Sequence, residues 1–161
     1  MSKKKIIIFF FLTIVIFFID RISKNHILSI AEIEGNVDIL VNSFLSIILV
    51  WNTGIGFGLL SFDQSSIYNS ITALIIIINL LIIYIIIKTN NIKSYYLIMV
   101  LGGSLGNLFD RLYYAAVPDF IDINYGGFHW FIFNVADIFI TVGIICLIFA
   151  ELLNYKKKNE I

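Results

Sequence analysis

The sequence has little of what a soluble or secreted protein of its size relies on. Only 14% of its 161 residues are charged while 60% are hydrophobic, and it holds one proline and one cysteine. A soluble domain of this length cannot hide so much apolar surface, because small domains leave most of their residues near water. The single cysteine, Cys146, excludes an intramolecular disulfide and is interpreted as an inert thiol. The composition therefore indicates an integral membrane protein.

Residues that hold cofactors are equally scarce. The two histidines, His26 and His129, stand alone, without the spacing of zinc or iron ligands. Asp119 and Asp122 in PDFID are only a weak signal for a cation site. The glycines of NTGIGFG, residues 52–58, follow no Rossmann pattern, and no Ser/His/Asp or Cys/His set stands out. We therefore expect no metal, no other cofactor and no nucleic-acid partner.

Four apolar segments make up most of the rest of the chain: residues 6–22, 67–87, 95–113 and 131–153. Each is long enough, or nearly so, to cross about 30 Å of hydrocarbon as a helix. The N-terminal MSKKK before an apolar run also resembles a signal peptide, but Ser29 and Ala31, the nearest small residues, lie well beyond that run. The sequence predicts an all-α membrane protein with four transmembrane helices in a single domain, residues 1–161.

The basic residues are distributed unevenly among the connecting segments. Eight of the eleven lie on one side of a four-span topology: Lys3, Lys4, Lys5, Lys88, Lys93, Lys156, Lys157 and Lys158. Basic residues collect on the cytoplasmic side of membrane proteins, so both termini are predicted to be cytoplasmic. Residues 23–66, between the first two helices, are then predicted to form a small extracytoplasmic subdomain of strands and loops. Residues 114–130 are predicted to form a second outer segment, a structured loop.

The polar residues collect at the extracytoplasmic ends of the helices. They are Asp20 and Lys24 of the first span, Asn107, Asp110 and Arg111 of the third, Asn134 and Asp137 of the fourth, and Asn52 and Asp119 of the outer loops. Spacings of three or four residues place those of one helix on one face. Gly102, Gly103 and Gly106 give the third helix a face of small residues that lets neighbouring helices approach closely. A structural role is favoured for the neighbouring pairs Asp20 with Lys24 and Asp110 with Arg111.

Asp119 and Asp137 have no adjacent basic residue that would neutralise them. Two carboxylates converging near a membrane boundary suggest a pair that shares one proton, because like charge raises one pKa and leaves the other group ionised. Such a pair can activate water and protonate a leaving amine. A small transporter or proton-conducting channel is one alternative, although the inner halves of the spans hold almost no polar residues. A non-catalytic assembly subunit is another, and it would tolerate Asp119→Asn and Asp137→Asn.

Five motifs, in this order, resemble those of the bacterial lipoprotein signal peptidases, the signal peptidase II family. They are DRISK (20–24), NTGIGFG (52–58), GGSLGNLFDR (102–111), VPDFI (117–121) and FNVADIFITVG (133–143). The chain departs mildly from the family pattern at Gly56, Pro118 and Ile138, where Ala, Val and Ser are common. Pro118 is the departure with the most direct consequence, because it fixes φ immediately before Asp119.

The resemblance implies a membrane aspartyl endopeptidase that removes signal peptides from prolipoproteins, just before a cysteine that carries diacylglycerol. It implies Asp119 and Asp137 as the catalytic pair. Asn52, Asn107, Arg111 and Asn134 match positions that line the site, and Asp20, Lys24, Asp110, Gly54 and Gly106 match supporting positions. The expected partners are the prolipoprotein and membrane lipids. The expected enzyme is a cofactor-free monomer in the bacterial cytoplasmic (inner) membrane, with its active site near the extracytoplasmic face. Residues 23–66 are then predicted to clamp over the substrate.

Overall fold

The computed structural model of the chain describes residues 3–54, 65–126 and 128–159. The elements, in chain order, are α1 (Lys3–Glu34), β1 (Asp38–Asn42), β2 (Leu45–Asn52), α2 (Ser65–Lys88), α3 (Lys93–Tyr113), β3 (Val117–Tyr125), β4 (Phe128–Phe133) and α4 (Val135–Asn159). In the described part of the chain, one pair of strands lies between α1 and α2 and a second pair lies between α3 and α4.

Three of the described helices contain stretches long and apolar enough to cross a membrane: Lys3–Glu34, Tyr68–Lys88 and Val135–Asn154. Their apolar side chains are largely exposed, which is expected of surfaces that face lipid. The third helix, α3, does not reach that level of hydropathy, and it contacts α1, α2 and α4. Its central position explains its composition, because a helix covered by its neighbours can carry small and polar residues such as those of GGSLGN. The fourth span remains a prediction.

Two of the predicted spans have different bounds in the structure. The first helix does not end near residue 22 but continues to Glu34, so α1 is far longer than one crossing requires. The fourth helix does not begin at residue 131, because residues 131–133 belong to β4 and α4 begins at Val135. Hydropathy alone therefore placed the last residue of the first helix too early and also the first residue of the fourth helix too early.

The strands form one antiparallel sheet in the order β1-β2-β3-β4. The all-α prediction, with a β-rich subdomain only between the first two helices, is therefore too narrow. Half of the sheet comes from the connection between α3 and α4, where the sequence predicted a loop. Val50 pairs with Asp119 and Ile121 pairs with Phe133, so β3 is an inner strand held from both sides.

Two apolar clusters hold these parts together. One lies among α1, α2 and α3 and contains Phe9, Ile16, Ile82, Ile86, Ile98 and Leu101. The other joins α1 to the sheet through Ile27, Val37 and Phe120. Along α1, Asp20 and Lys24 fall between the two clusters, and both side chains are fully buried. The polar residues therefore occupy the level at which the helices meet the sheet.

Candidate active site

The N-terminus of α4 is closed by a reciprocal pair of hydrogen bonds. The side-chain Oδ1 of Asn134 accepts from the Asp137 backbone N–H at 3.2 Å, and Asp137 Oδ2 accepts from the Asn134 N–H at 3.1 Å. This is a capping box, which requires a residue that can accept at the N-cap and an acid or amide three positions later. The spacing of Asn134 and Asp137 thus has a local structural reason, and it leaves the second carboxylate oxygen, Oδ1 of Asp137, available to another partner.

Asp119 lies in β3 and is 2% exposed. Its Oδ2 accepts from Asn52 Nδ2 at 2.9 Å, and its Oδ1 accepts from Asn134 Nδ2 at 2.5 Å. Asn52 is the last residue of β2, the strand that pairs with β3. The same asparagine that caps α4 therefore also holds Asp119, which brings the two aspartates of the predicted pair to one place.

A third asparagine completes the arrangement from α3. Asn107 Nδ2 donates to Asp137 Oδ1 at 2.8 Å. Its own Oδ1 accepts from the ammonium of Lys24 at 2.7 Å. Asn52 Oδ1 likewise accepts from the Gly54 N–H at 2.9 Å. Each amide oxygen is thus engaged by a group that can only donate, so each Nδ2 is directed to a carboxylate.

The environment of Asp119 changes its acidity. Burial raises the pKa of this carboxyl to about 6, and the negative charge of Asp137 acts in the same direction. The hydrogen bonds from Asn52 and Asn134 and the charge of Lys24 oppose that rise in pKa. An aspartate that still holds its proton near pH 6 is able to act as a general acid in mildly acidic or neutral solution.

A cluster of buried charges adjoins the aspartate pair. Lys24 Nζ lies 2.9 Å from Asp20 Oδ2 and 2.7 Å from Asp110 Oδ2. Arg21 lies 2.6 Å from Asp110 and 3.1 Å from Asp20. Asp20 Oδ1 also accepts from the Ala136 N–H at 3.0 Å, inside the first turn of α4. The cluster therefore fixes α1, α3 and the start of α4 relative to one another.

Two of the predicted glycines have a clear function in this packing. A Cβ at Gly106 would lie 2.5 Å from Asp20 Oδ2, so only glycine leaves room for that carboxylate against α3. A Cβ at Gly103 would lie 2.5 Å from the Ala136 carbonyl oxygen. The small face of α3 thus admits both the charged cluster and the first turn of α4.

Arg111 contacts the backbone near the pair. Its guanidinium donates to the Gly54 carbonyl oxygen and lies 5.5 Å from the centre of the Tyr68 ring. The Tyr68 hydroxyl donates in turn to the Arg111 carbonyl oxygen at 3.1 Å. Arg111 thus links α2 and α3 to the end of β2. Residues 55–58, the rest of the NTGIGFG motif, and residues 59–64 of the predicted clamp lie outside the described residues.

A cavity of about 240 Å³ opens onto the aspartate pair. Its lining consists of Asn52, Ile75, Ser104, Asn107, Arg111, Val117, Asp119, Asp137, Ile140 and Thr141. An apolar groove of about 250 Å³ meets the same place from the surface of α4 and is lined by Phe131, Phe133, Asp137, Ile138, Thr141 and Val142. Asp137 and Thr141 belong to both. A peptide bond can therefore approach Asp137 from the apolar surface of the protein.

The structure gathers all the predicted site residues into two adjoining groups. The residues predicted as catalytic or site-lining, Asp119, Asp137, Asn52, Asn107, Arg111 and Asn134, surround or support the cavity. Of the predicted supporting residues, Asp20, Lys24, Asp110 and Gly106 lie in the adjoining charged cluster, whereas Gly54 follows β2 and contacts Asn52 and Arg111. Sequence reasoning missed Tyr68, whose position in the first turns of α2 gave no signal, and it gave His129 no role. Among residues 3–54, 65–126 and 128–159, no group of three or more metal-ligating side chains comes together.

The fold and the site define a helical membrane protein with a pair of carboxylates where its helices meet a small sheet. Residues 12–153 match the family model described as signal peptidase (SPase) II. The chain belongs to the signal peptidase II family. This membership supports the cleavage of lipoprotein signal peptides as its activity and is consistent with a multi-pass membrane location.

Individual relatives agree with that assignment. The chain is 54% identical over 146 residues to the lipoprotein signal peptidase of Pelagibacter ubique (strain HTCC1062), covering 90% of this chain and 88% of the relative. It is 35% identical over 143 residues to that of Anaplasma marginale (strain Florida), covering 88% and 82%.

Two solved structures of bacterial membrane enzymes, obtained by the in meso method, each superpose with a TM-score of 0.71. One is 25% identical and covers 93% of this chain and 90% of its own, and the other is 29% identical and covers 89% and 92%.

Proposed function

We propose that the chain is an aspartyl endopeptidase in which Asp119 and Asp137 together activate a water molecule. The observation that carries this proposal is the amide of Asn134, which donates to Asp119 while its own oxygen caps the turn that holds Asp137. In the described part of the chain, neither of the two carboxylates has a lysine or arginine within ion-pair distance. Neutral amides hold both groups without fixing their charge.

The acidity of Asp119 suggests which aspartate begins as the acid. Its raised pKa, about 6, favours a state in which Asp119 keeps the shared proton. Both oxygens of Asp137 accept hydrogen bonds, from the Asn107 amide and from the Asn134 N–H, and this geometry suits the acceptor of a proton from water. We therefore assign Asp137 as the general base and Asp119 as the general acid.

The reaction then balances in two steps. Asp137 takes a proton from water while the water oxygen bonds to the scissile carbonyl carbon, and Asp119 gives its proton to the carbonyl oxygen. When the tetrahedral intermediate collapses, Asp137 returns its proton to the amide nitrogen and the C–N bond breaks. Asp119 recovers its proton from one hydroxyl of the intermediate, and that oxygen becomes the carbonyl oxygen of the new carboxyl group. Both aspartates regain their starting states.

The substrate proposed for this site is a prolipoprotein cleaved before its diacylglyceryl cysteine. The apolar groove beside Asp137 supports lateral entry, because a lipid-modified peptide can reach it without leaving an apolar surface. The acyl chains would remain in the bilayer. The products are the released signal peptide and a lipoprotein whose N-terminal residue is the lipidated cysteine.

The proposed topology has four spans, with α3 as the third, in one domain, residues 1–161, acting as a monomer among lipids. Contacts at the helix ends that lie away from the aspartate pair support this topology. Lys5 Nζ donates to Asn90 Oδ1 at 2.6 Å, and Lys93 pairs with Glu151. These contacts bring the start of α1, the α2–α3 connection and the last part of α4 to one basic end, which we place in the cytoplasm. The aspartate pair then lies at the extracytoplasmic side.

Cleavage of a lipidated prolipoprotein by purified enzyme in proteoliposomes tests the proposal. Asp119→Asn and Asp137→Asn should each reduce kcat by about 10³-fold, because each removes a group that moves a proton. Asp38→Asn, at an exposed acid on β1, is the matched control and should cleave normally. A wild-type rate in either active-site variant would contradict the assignment of the pair, whereas no cleavage by the purified wild-type protein would favour a non-catalytic assembly subunit.

A further inference from the structure

A second polar cluster lies in the sheet, toward the β3–β4 turn and away from the aspartate pair. Its centre is Asp122, a carboxylate with no exposed surface. Asp122 Oδ2 accepts from Asn124 Nδ2 at 2.8 Å and lies 2.7 Å from His129 Nδ1. The Asn124 amide also donates to Ser46 Oγ at 2.9 Å. Asp122 Oδ2 thus joins side chains of β3 and β4, and Asn124 extends the cluster to Ser46 on β2.

The cluster coincides with an irregularity in the pairing of β3 and β4. Asn124 pairs with His129, but the next pair along is Ile123 with Phe131. Trp130 is therefore an extra residue, as in a β-bulge. Asp122 pairs with a residue on the far side of the bulge, yet its carboxylate reaches back across it to His129. The histidine–aspartate contact thus spans the extra residue.

The bulge sets the register of β4 and therefore the position of Asn134 at the active site. Beyond it Ile121 pairs with Phe133, and the next residue is Asn134, whose amide bonds to Asp119. A slip of one residue in a strand turns each of its side chains to the opposite face. Loss of the bulge would therefore move Asn134 by one position relative to Asp119 and disturb the capping box with Asp137.

We propose that His129 is a positioning residue for peptide cleavage. By bonding to Asp122 across the bulge, it holds the register of β4 in which Asn134 meets Asp119. This proposal rests on the proposed function of the aspartate pair. His129 is suited to such a role because its side chain is 58% exposed, so substitution removes a contact without opening the core. In the tautomer that carries its proton on Nδ1, His129 donates to Asp122 Oδ2.

The test compares three substitutions at one position in the full-length enzyme in proteoliposomes. His129→Ala removes the contact and should lower kcat by about tenfold or more, because a small displacement of a positioning group has large kinetic effects. KM should stay within about twofold, since His129 lies outside the cavity lining. His129→Asn should restore most of kcat, because its amide nitrogen stands as many bonds from the backbone as Nδ1. His129→Gln should not restore it, because its amide nitrogen lies one bond further out.

The matched control is His26→Ala, at the only other histidine, which is exposed on α1 and should leave kcat unchanged. An unchanged kcat in His129→Ala, or a change in KM alone, would overturn the positioning role. If the alanine variant fails to fold, equal activity of the asparagine and glutamine variants would overturn it instead. Asp119→Asn is assayed beside them: activity there contradicts the proposed function, whereas an inactive Asp119→Asn with a normal His129→Ala contradicts only the register argument.

Discussion

Two pairs of aspartates lie next to each other in this protein, one fully buried and one at the cavity, and their partners differ in kind. Asp20 and Asp110 face the cations of Lys24 and Arg21. Asp119 and Asp137 face the neutral amides of asparagines. A cation within ion-pair distance stabilises the charged form of a carboxylate strongly, whereas an amide donor positions the carboxylate and constrains its charge much less. The first pair is held in place by ion pairs, and the second by neutral hydrogen-bond donors.

One side chain connects the two groups. Asn107 accepts from Lys24 on one side and donates to Asp137 on the other. The charged cluster thereby orients an amide of the neutral one. The ion pairs therefore serve the site by fixing its geometry, although they take no part in the proton transfers that we propose.

Removal of Lys24, the cation that Asp20 and Asp110 share, should have the largest effect. Lys24→Met should lower the free energy of unfolding by about 3–5 kcal/mol, because it leaves two buried carboxylates with one guanidinium. It should also lower kcat, since the Asn107 amide loses the donor that orients it. Reversible unfolding in mixed micelles measures the first effect, and the proteoliposome assay measures the second.

A surface ion pair provides the control. Lys93 pairs with Glu151, whose side chain is 71% exposed, so Lys93→Met should cost under about 1 kcal/mol. If Lys24→Met and Lys93→Met prove equally mild, the cluster is hydrated and does not fix the geometry of the helices.

A smaller effect should follow from crowding the charged cluster without changing its charge. The Cβ of Gly106→Ala would lie 2.5 Å from an Asp20 oxygen that Lys24 and Arg21 already hold. Relief requires α1 to move from α3, and such overpacking costs about 1–3 kcal/mol. Because Asp20 also accepts from Ala136 at the start of α4, kcat per folded molecule should fall too.

Gly143→Ala separates crowding from its effect on the site. Its Cβ would lie 2.8 Å from the Tyr96 carbonyl oxygen, at a helix crossing with no aspartate nearby among its three closest atoms. We expect this variant to lose stability while the folded fraction cleaves at the normal rate. Equal losses of kcat in both glycine variants would show that crowding anywhere between the helices impairs the enzyme.

Much of the site was predictable because it is local. Asn134 and Asp137 have the spacing of a capping box, and Asp20 and Lys24 have that of a helical ion pair. The helix bounds were less predictable, since α1 continues to Glu34 after its hydropathy falls. The buried residues Asp20, Lys24 and Ile27 of α1 follow one another at helical spacing. Periodicity therefore indicates this part of the helix better than hydropathy does.

The strands of the second connection were missed for a physical reason. Residues 117–120 of β3 are all buried, so the alternation that marks a half-exposed strand is absent where it was needed. Long-range partners were also beyond reach. Asn52 meets Asp119 through strand register, and Lys24 meets Asn107 through a helix crossing, and neither follows from spacing along the chain.

The smallest expected effect comes from removing one of the neutral donors to Asp119. Asn52→Ala removes an amide donor that lowers the pKa of Asp119, so that pKa should rise above about 6. The general acid would then keep its proton to higher pH, and the descending limb of kcat/KM against pH should move upward by less than about one unit. Asn42→Ala is the control, because Asn42 also accepts a backbone N–H two residues on, from Phe44 at 3.0 Å, but bonds to no aspartate in the described chain. A limb that moves downward in Asn52→Ala, or equally in both variants, would mean that the amide does not tune Asp119. An upward shift confined to Asn52→Ala would show that neutral donors set the proton affinity of Asp119, whereas the cations of the other pair act on geometry.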